Sequence, residues 1–298
     1  MRGLPPTAQC SCSRFNGRTA AVGPENAYFS EVVLLRMPDT QLSPGTRTVG
    51  TADDSKSRRW KTAQQYERGY WQARADEMAK GASAQLDWYK WRAEQFAGRL
   101  ERLGLGELYT DSVRVLEVGS GPIGVATYCK GARRVLVDPL QDYYASNPVL
   151  RTHRSPSAEY LTGVGEALPC PDSEFDLAMI ENCIDHVQDV DGVMRELRRA
   201  LRPGGILYLT VNCRAPLGYY VHRVLSRLRI DPGHPHTFTP DRAVRLLRRY
   251  GFTVLDVEVG SYKDARAEDL SSASSRARMK ARLGVSEFVT SVVARREG

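Results

Sequence analysis

The stretch Val113-Arg-Val-Leu-Glu-Val-Gly-Ser-Gly-Pro-Ile-Gly124 constrains this chain more than any other. Val113, Val115, Leu116 and Val118 make the near-continuous apolar run of a short strand covered on both faces. Gly119, Gly121 and Gly124 follow in G-x-G-x-x-G spacing. Glycine permits a sharp turn and lets a ligand approach the backbone with no Cβ in the way. The next run, Val125 to Lys130, is expected to open a helix whose first amides face that ligand. The spacing alone is also compatible with a simple turn.

A second apolar run, Arg134-Val-Leu-Val-Asp138, ends in a carboxylate. Its distance from the glycine loop is near the roughly 20 residues at which an acidic side chain meets ribose hydroxyls. Two cofactors remain open on these grounds, a dinucleotide or an adenosine-containing methyl donor. Glu117, just before the first glycine, favours the methyl donor.

Further segments follow in order: Gly165-Glu-Ala-Leu-Pro-Cys-Pro-Asp-Ser-Glu-Phe-Asp176, Asn182-Cys-Ile-Asp-His-Val187 and Leu201-Arg-Pro-Gly-Gly205. With Glu117-Val-Gly-Ser-Gly121 and Asp138, this set resembles the class I S-adenosylmethionine-dependent methyltransferases, in particular the type 11 small-molecule group. The resemblance covers about residues 110 to 215.

The resemblance implies S-adenosyl-L-methionine as cofactor. It implies that Glu117 orients the loop or meets the methionine ammonium, and that Gly119, Ser120 and Gly121 lie beside the methionine and ribose. Asp138 would accept both ribose hydroxyls and Pro139 would press on the adenine. Many relatives carry an aspartate where this chain has Val164. The adenine edge therefore falls either to the Glu166 side chain or to backbone atoms of Gly165 and Glu166. Asn182 would stand near the donor methionine and the acceptor.

Methyl transfer from a sulfonium is an in-line displacement by an already activated donor, so most of the protein's work is binding, alignment and water exclusion. His186 follows the fourth expected strand and is the sharpest catalytic candidate, because an imidazole can take a proton near neutral pH. It also reads as a structural histidine hydrogen-bonded near the cofactor. Some relatives pair such a histidine with an N-terminal tyrosine, a part Tyr66 or Tyr70 would fill here. His234 and His236 have no evident acidic third ligand nearby, so no metal is expected. Residues 213–238 read as a substrate-binding insertion lined by Tyr219, Tyr220 and His222.

The expected fold is α/β. Alternating strands and helices predict a Rossmann-like, doubly wound sheet with ligands at the strand C-terminal ends. The resemblance adds seven strands in the order 3-2-1-4-5-7-6, the last antiparallel, and an N-terminal helical cap. Residues 1–59 are rich in Pro, Gly, Ser, Thr and Arg and read as a disordered or loosely docked leader, with Met37 as a candidate alternative start. Residues 60–106 hold all four tryptophans, Trp60, Trp71, Trp88 and Trp91, and read as an aromatic-rich cap with helices at about 61–80 and 83–103. Residues 107–298 read as the S-adenosylmethionine-binding domain. Within it Asp189 or Asp191 caps a helix with Val193, Leu197 and Leu201 on one face, and residues 264–282 read as exposed helix.

At 298 residues and 42% hydrophobic content the chain can bury a large core. Its net charge of +7 lies mostly in Arg-rich helix faces, which read as solvated surface rather than a nucleic-acid footprint. The six cysteines show no C-x-x-C pair, and no apolar run approaches the roughly 18 residues of a membrane span. A cytoplasmic protein with no membrane partner is expected. The leading function is methyl transfer to a small-molecule acceptor, with oxygen favoured over nitrogen or carbon. A nucleic-acid or protein methyltransferase, an NAD-dependent oxidoreductase and a catalytically silent cofactor-binding protein are the competing readings.

Overall fold

The computed structural model describes residues 52–80, 86–227 and 235–298. The leader through residue 51, Gly81 and His234 lie outside the described residues. Among the described residues two helices come first, α1 (Ala52–Ala79) and α2 (Asp87–Arg102). The sheet strands are β1 (Arg114–Val118), β2 (Arg133–Asp138), β3 (Glu159–Thr162), β4 (Phe175–Glu181), β5 (Leu201–Arg214), β6 (Phe252–Val259) and β7 (Glu287–Arg296). Between them run α3 (Gln141–Ser146), α4 (Val190–Ala200), α5 (Pro216–Arg227), α6 (Pro240–Arg249), α7 (Tyr262–Ser271) and α8 (Ser275–Arg282).

The seven strands lie in the order β3-β2-β1-β4-β5-β7-β6, as expected, with β7 antiparallel to both neighbours. Val118 of β1 pairs with Val137 of β2 on one side and Ile180 of β4 on the other. This register brings Gly119, Asp138 and Glu181 to the same edge of the sheet.

Strand alternation divides the core into two layers. Leu116, Val135, Val137, Ala178, Ile180, Leu207 and Leu209 face Val193, Met194 and Leu197 of α4 and Ala243 and Leu247 of α6. Val115, Leu136, Leu177, Met179, Ile206 and Tyr208 face the first two helices. There Tyr89, Ala93, Phe96 and Leu100 of α2 recur at helical spacing and are buried, as are Trp71, Ala75 and Met78 of α1. Glu117 and Glu181 share this second parity, so their side chains point toward α2.

Two buried arginines fasten α2 to the sheet. Arg92 Nη1 donates to Glu181 Oε2 at 2.9 Å, and Arg99 Nε donates to Asp256 Oδ2 at 2.7 Å and Nη1 to Ser291 Oγ at 2.6 Å. The aromatic segment is thus a helical layer laid against one sheet face.

Several expectations are corrected. The helix expected after the glycine loop is a single 3-10 turn at Ala126–Tyr128, ended where the backbone turns extended at Cys129; the Glu117 carboxylate accepts from the amides of Val125 and Ala126 at its start. The first cap helix covers Ala52–Ala79 and so extends ahead of Trp60; the second covers Asp87–Arg102, and residues 81–85, where its expected start falls, lie outside the described residues. Leu201 opens β5 instead of closing α4; of the two expected caps, Asp189 is the one that caps α4, accepting from Asp191 N. The 264–282 stretch is two helices, and Ala265, Ala277 and Ala281 within it are buried.

Candidate functional site

β1 runs directly into a backbone that only glycine accommodates. Gly119, at φ 72°, passes so close to β4's exit that a Cβ would lie 2.6 Å from Cys183 Cβ. Gly121, at φ 61°, leaves room for Tyr89 Oη and Trp71, which a Cβ would meet at 2.9 and 3.3 Å. The loop is therefore pressed between the end of β4 and the two N-terminal helices.

Two carboxylates set its shape from either side. Glu117 Oε1 accepts from Val125 N at 3.0 Å and Oε2 from Ala126 N at 2.7 Å. Asp138 Oδ2 accepts from Gly121 N at 3.0 Å and Oδ1 from Leu140 N at 2.8 Å. Burial raises the Glu117 carboxyl to about 8, against the opposing pull of those amides. Burial likewise raises Asp138 to about 7, with Glu67 adding to the upward shift. Each oxygen of Asp138 accepts one amide and keeps a second lone pair for a ligand hydroxyl.

A cleft of about 830 Å³, its open mouth included, lies over the ends of β1, β2 and β4. Its floor is Glu117, Gly119, Ser120, Gly121, Asp138 and Pro139. Glu181, Asn182, Cys183 and His186 form one wall. Glu67 and Trp71 of α1, with Trp88, Tyr89 and Arg92 of α2, cover it. Trp88 and Tyr89 stack with ring centroids 3.7 Å apart, and the Arg92 guanidinium lies 4.7 Å from the Trp88 ring centre.

Asn182 leaves β4 at φ 46°, a conformation asparagine tolerates better than most residues. Its Oδ1 is buried and, among the described residues, has no hydrogen-bond partner. A buried acceptor of this kind costs free energy until a donor meets it. Beside it, the His186 ring reaches Asp185, with Nε2 3.8 Å from Oδ1 of that buried carboxylate.

The expected cofactor residues Glu117, Gly119, Ser120, Gly121, Asp138, Pro139 and Asn182 all meet in this cleft, together with His186. Gly165 and Glu166 do not line it. Glu166 Oε1 accepts instead from Gln188 N and Asp189 N, holding the loop ahead of α4. Val164 is bridged to Ala167 and Gly165 packs against Val118 and Val193. Tyr66 and Tyr70 are half-buried on α1 and do not line the cleft. Tyr219, Tyr220 and His222 are also outside it: His222 Nδ1 bonds Thr237 Oγ1 at 2.7 Å, and Tyr220 is exposed. His236 Nε2 is tied to the Val187 carbonyl at 2.9 Å. No group of three or more metal-binding side chains occurs among the described residues.

Sequence reading overlooked Glu67, Arg92, Glu181 and Cys183. Cys183 and Glu181 flank Asn182, so strand alternation carried a usable signal for them. Glu67 and Arg92 lie far from the motifs in sequence, and only the packing of the helices brings them in.

A family model described as a methyltransferase domain matches residues 116–209. A malonyl-acyl-carrier-protein O-methyltransferase of Pseudescherichia vulneris is 33% identical over 100 residues, covering 32% of this chain and 38% of that protein. The chain thus aligns with under two fifths of the length of the first curated relatives it matches. A putative sarcosine dimethylglycine methyltransferase from Galdieria sulphuraria superposes with a TM-score of 0.53 at 16% identity, covering 69% of this chain and 85% of the other. The cyclase SpnF superposes with a TM-score of 0.51 at 19% identity, covering 70% and 80%. These two likenesses concern the fold alone.

Proposed function

We propose that the chain, whose residues 116–209 match a methyltransferase-domain model, is a class I S-adenosylmethionine-dependent methyltransferase that moves the donor's methyl group to an oxygen atom of a small-molecule acceptor. The observation that carries this reading is the convergence of the Gly119–Gly121 backbone, Asp138 and the buried Asn182 Oδ1 on one covered cleft. A glycine cradle that a Cβ would fill and an acceptor lacking a donor both fit S-adenosylmethionine.

Asp138 takes the ribose hydroxyls on its remaining lone pairs. Pro139 bounds the adenine, whose edge is read by backbone near the cleft rather than by Glu166. Gly119, Ser120 and Gly121 flank the methionine and ribose, and Asn182 Oδ1 accepts from the methionine ammonium. Glu117 holds the loop from beneath. When bound, S-adenosylmethionine supplies an electrophilic methyl group on a sulfonium.

The protein's own contribution is alignment and exclusion of water by Trp71, Trp88 and Tyr89. His186 takes the acceptor's proton, and the buried Asp185 carboxylate beside it steadies the imidazolium that results. The O-methyltransferase name of the Pseudescherichia relative supports an oxygen acceptor. Incubation with S-adenosylmethionine and a metabolite pool, followed by mass spectrometry, tests the reading. One metabolite should gain the mass of a CH2 unit in step with donor consumption. Donor bound but never consumed, across chemically diverse pools, would contradict it.

A further inference from the structure

The cleft contains a carboxyl group, that of Glu67, which neither donor binding by the loop, Asp138 and Asn182 nor the Arg92–Glu181 pair employs. Glu67 enters from α1, on the covering side. Among the described residues four carboxyl groups line the cleft, those of Glu67, Glu117, Asp138 and Glu181, against the one guanidinium of Arg92. Glu117 is turned to the amides of Val125 and Ala126, and Glu181 to Arg92. Glu67 and Asp138 face the same space from opposite sides, Asp138 with one lone pair on each oxygen left over after the amides of Gly121 and Leu140.

Glu67 is held in place rather than loosely exposed. Trp71 Nε1 donates to Glu67 Oε1 at 2.9 Å, one helical turn away. Trp71 is itself buried, set against Gly121 and edge-on to Tyr144 with centroids 6.1 Å apart. The indole therefore locks the carboxylate to the glycine loop. The charge of Glu67 reaches both ends of the cleft: it adds to the upward displacement of the Asp138 carboxyl and of the Cys183 thiol. Like charges across a partly dry cleft repel, and a cation between them removes the repulsion.

S-adenosylmethionine bears an ammonium, a sulfonium and a carboxylate, a net single positive charge. In the transfer the S–CH3 bond breaks with its electron pair going to sulfur, the acceptor–CH3 bond forms, and the acceptor's proton leaves. The product thioether has no net charge. We infer that Glu67 lets the cap read this difference, closing on the cationic donor and relaxing over S-adenosylhomocysteine. The inference rests on the donor site proposed above and adds to it a residue that favours donor over product.

Calorimetry with three ligands of nearly one shape tests this: S-adenosylmethionine, sinefungin, whose amine keeps a positive charge near the same place, and S-adenosylhomocysteine. Glu67→Gln keeps an oxygen for the Trp71 indole and removes only the charge. Loss of one charge-assisted contact should weaken both cationic ligands by about tenfold and leave the homocysteine product within about twofold. Hydrogen exchange in α1 of the unaltered protein should slow more with the two cations than with the product. Equal weakening of all three ligands would make Glu67 a structural support and overturn the inference, as would no weakening or equal protection of α1. If the unaltered protein bound none of the three, the donor site itself would be wrong and the inference would fall with it. Binding by the unaltered protein with an indifferent Glu67→Gln would overturn the inference alone.

Discussion

Arg92 on α2 and Glu181 at the end of β4 form a buried ion pair, Nη1 to Oε2 at 2.9 Å, between residues far apart in the sequence. The pair ties the cover of the cleft to its wall. Removing one partner of a buried pair leaves the other charge poorly compensated, which costs about 3–5 kcal/mol, whereas replacing both is often near neutral. Arg92→Met should therefore destabilise the protein strongly, and Arg92→Met with Glu181→Gln should regain much of the loss. Urea unfolding measures both. A single variant costing under about 1 kcal/mol would show that the cap is not fastened this way.

Gly119→Ala should damage both stability and donor binding. The left-handed backbone alone costs a side chain about 1–3 kcal/mol. The new methyl would also push on Cys183 and so displace Asn182. Thermal unfolding and donor titration report the two effects. Unchanged donor affinity would mean that the donor does not sit against this loop.

Asp138 gives the stability a pH dependence of known sign. Its carboxyl is raised to about 7 in the folded, ligand-free protein, against about 3.9 for an unfolded chain. The folded state therefore holds the proton more tightly. The stability this contributes is full below about pH 4 and is lost as pH rises toward about 7, on the order of 2–4 kcal/mol. Glu117, raised to about 8, acts in the same direction. Asp138→Asn should flatten the decline between pH 4 and 8, whatever constant offset the lost amide contact brings. Denaturant unfolding across that range measures the slope, and an identical slope in the variant would contradict the assignment.

His186 lines the cleft with Asp185 beside its ring. General-base assistance is commonly worth about 10²–10⁴ in rate. His186→Ala should lower kcat by that order with donor affinity little changed, and His186→Gln should fail to rescue it. Full turnover by the Gln variant would make His186 a positioning residue. Loss of donor binding in the Ala variant would make it structural. The acceptor found in the metabolite screen serves as substrate.

The parts of this site that could be read from sequence are those encoded locally. The glycine loop, Asp138 and Asn182 each end a strand, so the strand pattern placed them together at one edge. β3 escaped notice because Glu159-Tyr-Leu-Thr162 is a short edge strand with no buried residue, lacking the apolar run that marked β1, β2 and β4. The helix expected after Gly124 is cut to one 3-10 turn because the backbone turns extended at Cys129 to lead toward β2, a break that G-x-G-x-x-G spacing does not specify. Glu166 followed the resemblance, yet its carboxylate serves the turn before α4. Trp71 is visible in the sequence as a cap aromatic, and Tyr89 lies in the same aromatic-rich segment. Their seat on Gly121 depends on how α1 and α2 cross the sheet, and the crossing also decides that Glu67 and Arg92 enter the cleft.

Titration calorimetry decides whether this cleft binds S-adenosylmethionine through Asp138. The unaltered protein should bind S-adenosylmethionine saturably and show no binding of NAD. Asp138→Ala removes an acceptor for two hydroxyls and should weaken the donor by about 1.5–3 kcal/mol, tenfold or more. Binding of NAD in place of S-adenosylmethionine, or an Asp138→Ala variant with undiminished donor affinity, would contradict the account.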